Sequence, residues 1–276
     1  MKIRVIASII IVAIALPVIL FSQYIIYPIA LGFLAASAVF EMLKVISAHK
    51  LYGLSIPAYI IAATMPIASY FVDASSRITY FLMVFVILFA YLLYIMAAAV
   101  FSHGKITVAK IGMVYLSVSY TVASFTSLSA IRYLDSGMLC LMLVFFIAWG
   151  CDASAYLFGT FLGRHKLIPD VSPKKSVEGA VGGIFGATAL SMGFGLFAQL
   201  VMGAAVNYLY IAIFALILSV VSQIGDLIAS LIKREYGVKD YSNLIPGHGG
   251  IMDRFDSVLA VAMPLLVLCV AFPPFT

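Results

Sequence analysis

The sequence predicts an all-α, polytopic membrane protein: a bundle of about nine transmembrane helices, with the N-terminus in the cytoplasm and the C-terminus outside. Three observations predict it. Hydrophobic residues make up 64% of the 276 residues and charged residues only 10%, too few polar side chains to coat a soluble fold. The apolar residues fall into long runs close to the ~20 residues that a helix needs to cross the hydrocarbon layer. The basic residues of the links also alternate in number from one side to the other, as they do when positive loops are retained in the cytoplasm.

Nine segments follow from the runs: 3–22, 24–46, 53–72, 78–101, 109–132, 136–162, 177–202, 206–232 and 252–272. Lys2 and Arg4 flank the first as they would a signal peptide. It lacks a clear small-x-small cleavage site and is long enough to span, so it is read as a helix. With the N-terminus inside, fourteen of the sixteen Lys and Arg residues fall on the cytoplasmic side and only Arg77 and Arg132 outside. The net charge of +5 is therefore accounted for by topology, and no nucleic-acid partner is expected. Cys140, Cys151 and Cys269 lie in apolar runs without metal-ligand spacing and read as small core residues.

No linker or repeat separates a second domain, so residues 1–276 are expected to form one membrane domain. The first five segments, within 1–133, carry few ionisable residues and read as scaffold. Glu41, three residues before Lys44, is expected to form an intrahelical ion pair. The last four segments, within 134–276, carry most of the ionisable residues. The long links 163–176 and 233–251 are both basic and both cytoplasmic, so any chemistry faces the cytoplasm.

In the sixth segment Asp152, Tyr156, Gly159 and Gly163 follow helical spacing and share a face. Asp152 lies about 15 Å inside the cytoplasmic end at 1.5 Å per residue. A carboxylate there costs about 2.5–3.5 kcal/mol to insert unless it is paired or lines a polar cavity. A hydrogen bond to a neighbouring helix would satisfy it; a functional cavity is the preferred reading. Downstream, Ser172-Pro-Lys174-Lys175-Ser176 precedes the seventh segment. Lysines and hydroxyls ahead of a helix start can bind phosphate, although lysines at a membrane face also serve as plain topology anchors.

The eighth segment carries Ser222, Asp226 and Ser230 at intervals of four, with Lys233 three residues on, a polar stripe that must face a polar interior. Asp253 and Asp256, three apart at the start of the ninth, share a face. Carboxylates at helix ends can hold Mg²⁺ through one or two oxygens and leave the remaining positions to water and substrate phosphates; pairing with Arg254 or a helix N-terminus is the plainer alternative for these two. His248 sits between two glycines, where it either donates to a phosphate oxygen or is simply an exposed loop histidine.

The stretch Ser230-x-x-Lys233-Arg234-x(4)-Lys239-Asp240-x-Ser242-x-x-Ile245-Pro246-x-His248-Gly249-Gly250-Ile251-x-Asp253-Arg254-Phe255-Asp256 resembles the signature of the phosphatidate cytidylyltransferase, or CDP-diacylglycerol synthase, family. Asp152, Tyr156, His165-Lys166-Leu167, Pro169 and Ser172-Pro-Lys174-Lys175 extend the resemblance upstream to about residue 149. It departs at Ala153-Ser154 and Ser176-Val177. The resemblance implies transfer of a cytidylyl group from CTP to phosphatidic acid at the cytoplasmic face of a bacterial-type inner membrane. Asp152, Asp226, Lys239, His248, Asp253, Arg254 and Asp256 would be catalytic. Ser172, Lys174, Lys175, Ser222, Ser230, Lys233, Arg234 and Asp240 would bind substrate. Asp226, Asp253 and Asp256 would hold Mg²⁺, with a second cation beside it. Small-residue helices and the charge-free front segments point to a homodimer. Two rival functions are weighed: a CTP-dependent polyprenol or dolichol kinase, and a cation or proton transporter built on Asp152 and Asp226. Against the transporter stand the absence of an inverted repeat and the long basic loops.

Overall fold

The structure, a computed structural model, describes residues 17–244 and 249–276. Most of the first expected segment, and His248, lie outside the described residues. Eight described helices are long and apolar enough to cross a membrane: α1 (Ile26–Val45), α2 (Tyr52–Ala68), α3 (Arg77–Phe101), α4 (Val108–Arg132), α5 (Gly137–Leu162), α6 (Val177–Met202), α7 (Tyr208–Glu235) and α8 (Met252–Ala271). They correspond to the second to ninth expected segments, with ends displaced by at most a few residues. Long apolar runs leave a chain in lipid no other way to satisfy its backbone. The chain divides into two compact units. The first comprises Met1–Ala130 with Val238–Arg254, the second Ile131–Gly237 with Phe255–Thr276.

In the first unit α1 packs on α2 and α2 on α3. Ala35, Ala38, Val39, Met42 and Leu43 form the buried face of α1. At Gly32 a side chain would run into the Ala63 carbonyl, so glycine is what lets the backbones of α1 and α2 touch. α2 contains Pro57 and Pro66 and ends in a 3-10 turn, Ser69–Phe71. The Pro66 carbonyl at this end accepts from Ser69 Oγ (2.7 Å) and from Ser129 Oγ on α4 (2.9 Å). Hydroxyls thus take over where helical N–H donors run out.

The second unit is built on α5 against α6, with α7 against both. The α5/α6 seam is lined with glycines. Side chains at Gly182 and Gly186 would collide with Phe158 and Ser154, and one at Gly179 would come within 2.8 Å of the Ala155 carbonyl. The link 163–176, expected as a long basic loop, holds a small antiparallel hairpin: β1 (Lys166–Ile168) pairs with β2 (Ser172–Ser176), with Lys166 opposite Ser176 and Ile168 opposite Ser172. The pairing satisfies backbone groups of a charged segment too short to cross the bilayer. Ser176 then caps α6 by accepting from Gly179 N at 3.1 Å, the usual part of a serine at a helix start. The Glu178 carboxylate, one residue into α6, accepts from Arg164 N (3.1 Å) and meets His165 Nδ1 at 2.6 Å, tying the hairpin's entry to the helix.

Candidate active site

In the second unit a pocket of about 520 Å³ opens between the C-terminal end of α5, the hairpin, the start of α6 and the latter half of α7. Its polar wall includes Asp152, Lys166, Ser172, Lys174, Lys175, Ser176, Gln223 and Asp226. Its apolar wall includes Ala155, Tyr156, Leu167 and Ala180, and Tyr156 is 72% exposed. Lys175 at the end of β2 forms an ion pair with Asp226 on α7, each side chain about one quarter exposed. Ser230, one turn along α7, reaches Asp226 Oδ1 at 3.4 Å. Asp152 is held by Ser257 of α8, whose hydroxyl donates to Oδ2 at 2.8 Å. The two open readings of Asp152 thus hold together: it lines a polar cavity and bonds a neighbouring helix.

Asp256, 8% exposed, accepts from Ser257 N at 2.9 Å and lies within electrostatic range of Asp226, Asp152 and Lys233. Gly225 is what brings its helix near, because a side chain there would meet Ala260 and the Asp256 carbonyl. Three carboxylates in an apolar bundle repel one another strongly, and Lys175 and Lys233 provide the opposing charge. Among the described residues no three His, Cys, Asp or Glu side chains are close enough to form a metal cage on their own.

Of the residues expected from the sequence, the pocket gathers Asp152, Ser172, Lys174, Lys175 and Asp226. Arg234 is exposed at the end of α7 and directs Nε to the Val171 carbonyl at 3.4 Å, bracing the hairpin. Lys233 and Ser230 are half-buried on the same helix. Ser222 is fully buried, off the pocket lining, with its Oγ unpartnered. Gln223 takes the place expected of it, lining the pocket and donating Nε2 to the Ala180 carbonyl at 3.0 Å. The polar stripe on α7 follows the i−3 neighbour of Asp226 rather than the i−4 neighbour, and both spacings lie on one helical face.

The remaining expected residues belong to the first unit. Lys239, Asp240 and Arg254 are exposed. Asp253 reaches back with Oδ2 to accept from Tyr241 N (2.7 Å) and Gly250 N (3.0 Å). Gly249, at φ +85°, adopts a left-handed backbone, and a side chain there would meet Asp253 Oδ2 at 2.9 Å. Glu41 corrects its sequence reading. It does not pair with Lys44; its carboxylate, 2% exposed, accepts from Ser242 Oγ (2.6 Å), Ile251 N (2.9 Å) and Met252 N (2.9 Å). The only sequence signal for this was a carboxylate inside an apolar run, where an unmet charge is costly.

Comparison with known proteins places the chain in a family. The profile of the Cytidylyltransferase family matches residues 2–272. A phosphatidate cytidylyltransferase of Bacillus subtilis is 42% identical over 185 residues, 67% of this chain and 66% of that protein. Those of Staphylococcus epidermidis and Staphylococcus saprophyticus are each 33% identical, over 266 and 272 residues, and in each case the match covers 96% of this chain and 97% of the relative. With a profile that spans nearly the whole chain and relatives matched end to end, this protein belongs to the cytidylyltransferase family.

Proposed function

We propose that the chain is a phosphatidate cytidylyltransferase. An oxygen of the phosphatidic acid phosphate attacks the α-phosphorus of CTP; the new P–O bond gives CDP-diacylglycerol, and the α–β P–O bond breaks to release pyrophosphate. The observation that carries the reading is the second-unit pocket, in which three lysines and two buried-end carboxylates meet beside an apolar wall at Tyr156. That is the chemistry needed to seat a polyanion whose other end is a lipid.

The nucleophile is already an ionised phosphate, so no general base is required, and catalysis rests on positioning and charge stabilisation. Lys166, Lys174 and Lys175 neutralise phosphate oxygens as they enter the pocket. Lys175 exchanges its Asp226 partner for phosphate, which leaves Asp226 an acceptor-only group facing the polyphosphate. Lys233, Arg234, Lys239 and Arg254 add positive charge, and His248 assists departure of pyrophosphate. Ser172 and Ser230 offer hydroxyls, and Asp240 orients its neighbour Lys239.

Asp226 and Asp256 supply hard oxygen donors of the kind that suit Mg²⁺, and the resemblance adds Asp253 to that set. Two or three carboxylates fit an ion that keeps several waters and takes the rest of its ligands from phosphates. When bound, Mg²⁺ would supply positive charge to offset the charge that gathers on the leaving pyrophosphate. The chain works as an integral protein of the bacterial inner membrane with its pocket facing the cytoplasm, and as a homodimer, which native mass spectrometry of the active protein checks.

The experiment is direct. Purified protein in detergent is given phosphatidic acid, Mg²⁺ and CTP labelled at either the α or the γ phosphate. Label from the α position in the lipid, with pyrophosphate released, is the expected result. Label from the γ position would instead mean a kinase.

A further inference from the structure

We infer that Glu41 is a positioning residue for the reaction, the clamp that fixes the segment carrying Lys239, Asp240, Asp253 and Arg254. The inference rests on the cytidylyltransferase reading for its kinetic consequence, though not for its geometry.

Glu41 lies near the end of α1, in the scaffold part of the sequence, about 200 residues from its partners, yet its carboxylate is the point where the segment is tied down. Three donors converge on it. Ser242 Oγ and Ile251 N reach Oε1 at 2.6 and 2.9 Å, and Met252 N reaches Oε2 at 2.9 Å. The first donor follows directly on Lys239, Asp240 and Tyr241; the other two are at the start of α8, immediately before Asp253 and Arg254. One side chain therefore grips the segment at both of its described ends. Gly250 completes the fit, because a side chain at that position would fall 2.5 Å from Oε2.

The chemistry of the grip calls for a carboxylate. Helix starts leave N–H groups without intrahelical partners, and an acceptor-only group with two oxygens can serve all three donors at once. Asp253 reinforces the same fold-back from the other side through Tyr241 N and Gly250 N. With Glu41 at 2% exposure, no water replaces it cheaply if it is lost. The residue does not touch the reacting atoms; it acts through the placement of those that do. Its effect should therefore fall on kcat, as small displacements of catalytic groups cost on the order of 100-fold.

The test uses the full chain in detergent and compares Glu41→Ala and Glu41→Gln with the wild type. Two readouts are taken: kcat and KM for both substrates, and amide hydrogen exchange. Glu41→Ala is expected to lower kcat about 100-fold with KM changed by less than about 3-fold. Exchange should accelerate at Tyr241–Leu244 and Gly250–Met252 and stay unchanged in the interior of α2 and α3. Glu41→Gln keeps one acceptor oxygen but turns an amide N–H₂ toward the Met252 N–H, so it should fall between Ala and wild type. Wild-type kcat, unaltered exchange in the segment, or a rise in KM alone would each overturn the inference. If Glu41→Ala does not fold, Ser242→Ala and Gly250→Ala decide: both must lower kcat and loosen the same amides, and wild-type behaviour in both overturns it. Should the wild-type chain itself make no CDP-diacylglycerol, the reaction assignment fails, and the exchange comparison alone decides whether Glu41 is the clamp.

Discussion

Lys175 and Asp226 form an ion pair that joins the end of β2 to α7 inside the pocket. Each is about one quarter exposed, so the pair is neither a solvent-screened surface bridge nor sealed from substrate. A lysine held by a single carboxylate can be drawn to a phosphate with little rearrangement.

Lys175→Ala should therefore weaken binding and turnover together. Loss of one charge-assisted contact to phosphate amounts to about 1.5–3 kcal/mol, or roughly 10- to 100-fold in kcat/KM. Lys175→Arg should recover part of this, because the charge returns in a different shape. Steady-state kinetics over a range of CTP concentrations checks it. Wild-type kcat/KM in Lys175→Ala would remove the lysine from the site.

Asp226→Ala and Asp253→Ala are each expected to abolish turnover, by about 100-fold or more, while the protein still inserts and folds. CTP, phosphatidate and pyrophosphate crowd several negative charges into one place, and lysines alone do not organise that charge along the line of attack. Asp→Asn keeps the shape without the charge and should fail nearly as badly. Asp240→Ala should be milder, since Asp240 is exposed. Activity measured against a Mg²⁺ titration is the check, and an Asp226→Ala protein with wild-type rate and Mg²⁺ dependence would defeat the assignment.

Ser257→Ala removes the donor to Asp152 Oδ2 and leaves a poorly solvated carboxylate oxygen unmet. Stability should drop by about 1–3 kcal/mol, read as a lower thermal midpoint in detergent. Ser257→Thr keeps the hydroxyl and should restore most of it. Equal midpoints for Ala and wild type would mean that water takes over the role of the serine.

A reporter fused after Thr276 should behave as external, and one inserted near Asn243 as cytoplasmic. The uneven distribution of Lys and Arg motivates this, and the opposite pair of results would reverse the topology.

The helices were legible because each is specified locally. A run such as 177–202 is apolar along most of its length and begins beside Ser176, a residue suited to cap it. The signature between Ser230 and Asp256 was legible because its charges stand out against apolar neighbours. Other features were set by tertiary geometry and left little local trace. Glu41 reads as half of an i, i+3 pair until Ile251 and Met252 arrive from 210 and 211 residues away. Ser257 looks like one more small helix residue until Asp152 is opposite it. The hairpin at 166–176 is too short and too charged to show a strand period. The Ser222-for-Gln223 exchange turned on a single step around α7, a distinction that spacing arguments cannot resolve.

The glycine seam between α5 and α6 has a consequence for the entropy of substrate binding. Gly159, Gly163 and Gly179 bring main chain against main chain and against Ser176, within about 3 Å of where a side chain would begin. A wall made of backbone has no rotamers to lose. Gly159 and Gly179 line the pocket, and for a polyanion seated there the disorder surrendered would come almost wholly from the lysine side chains opposite. Replacing a seam glycine with alanine would thus prise two helices apart, and a longer side chain would in addition bring rotamers to a surface that has none to give up.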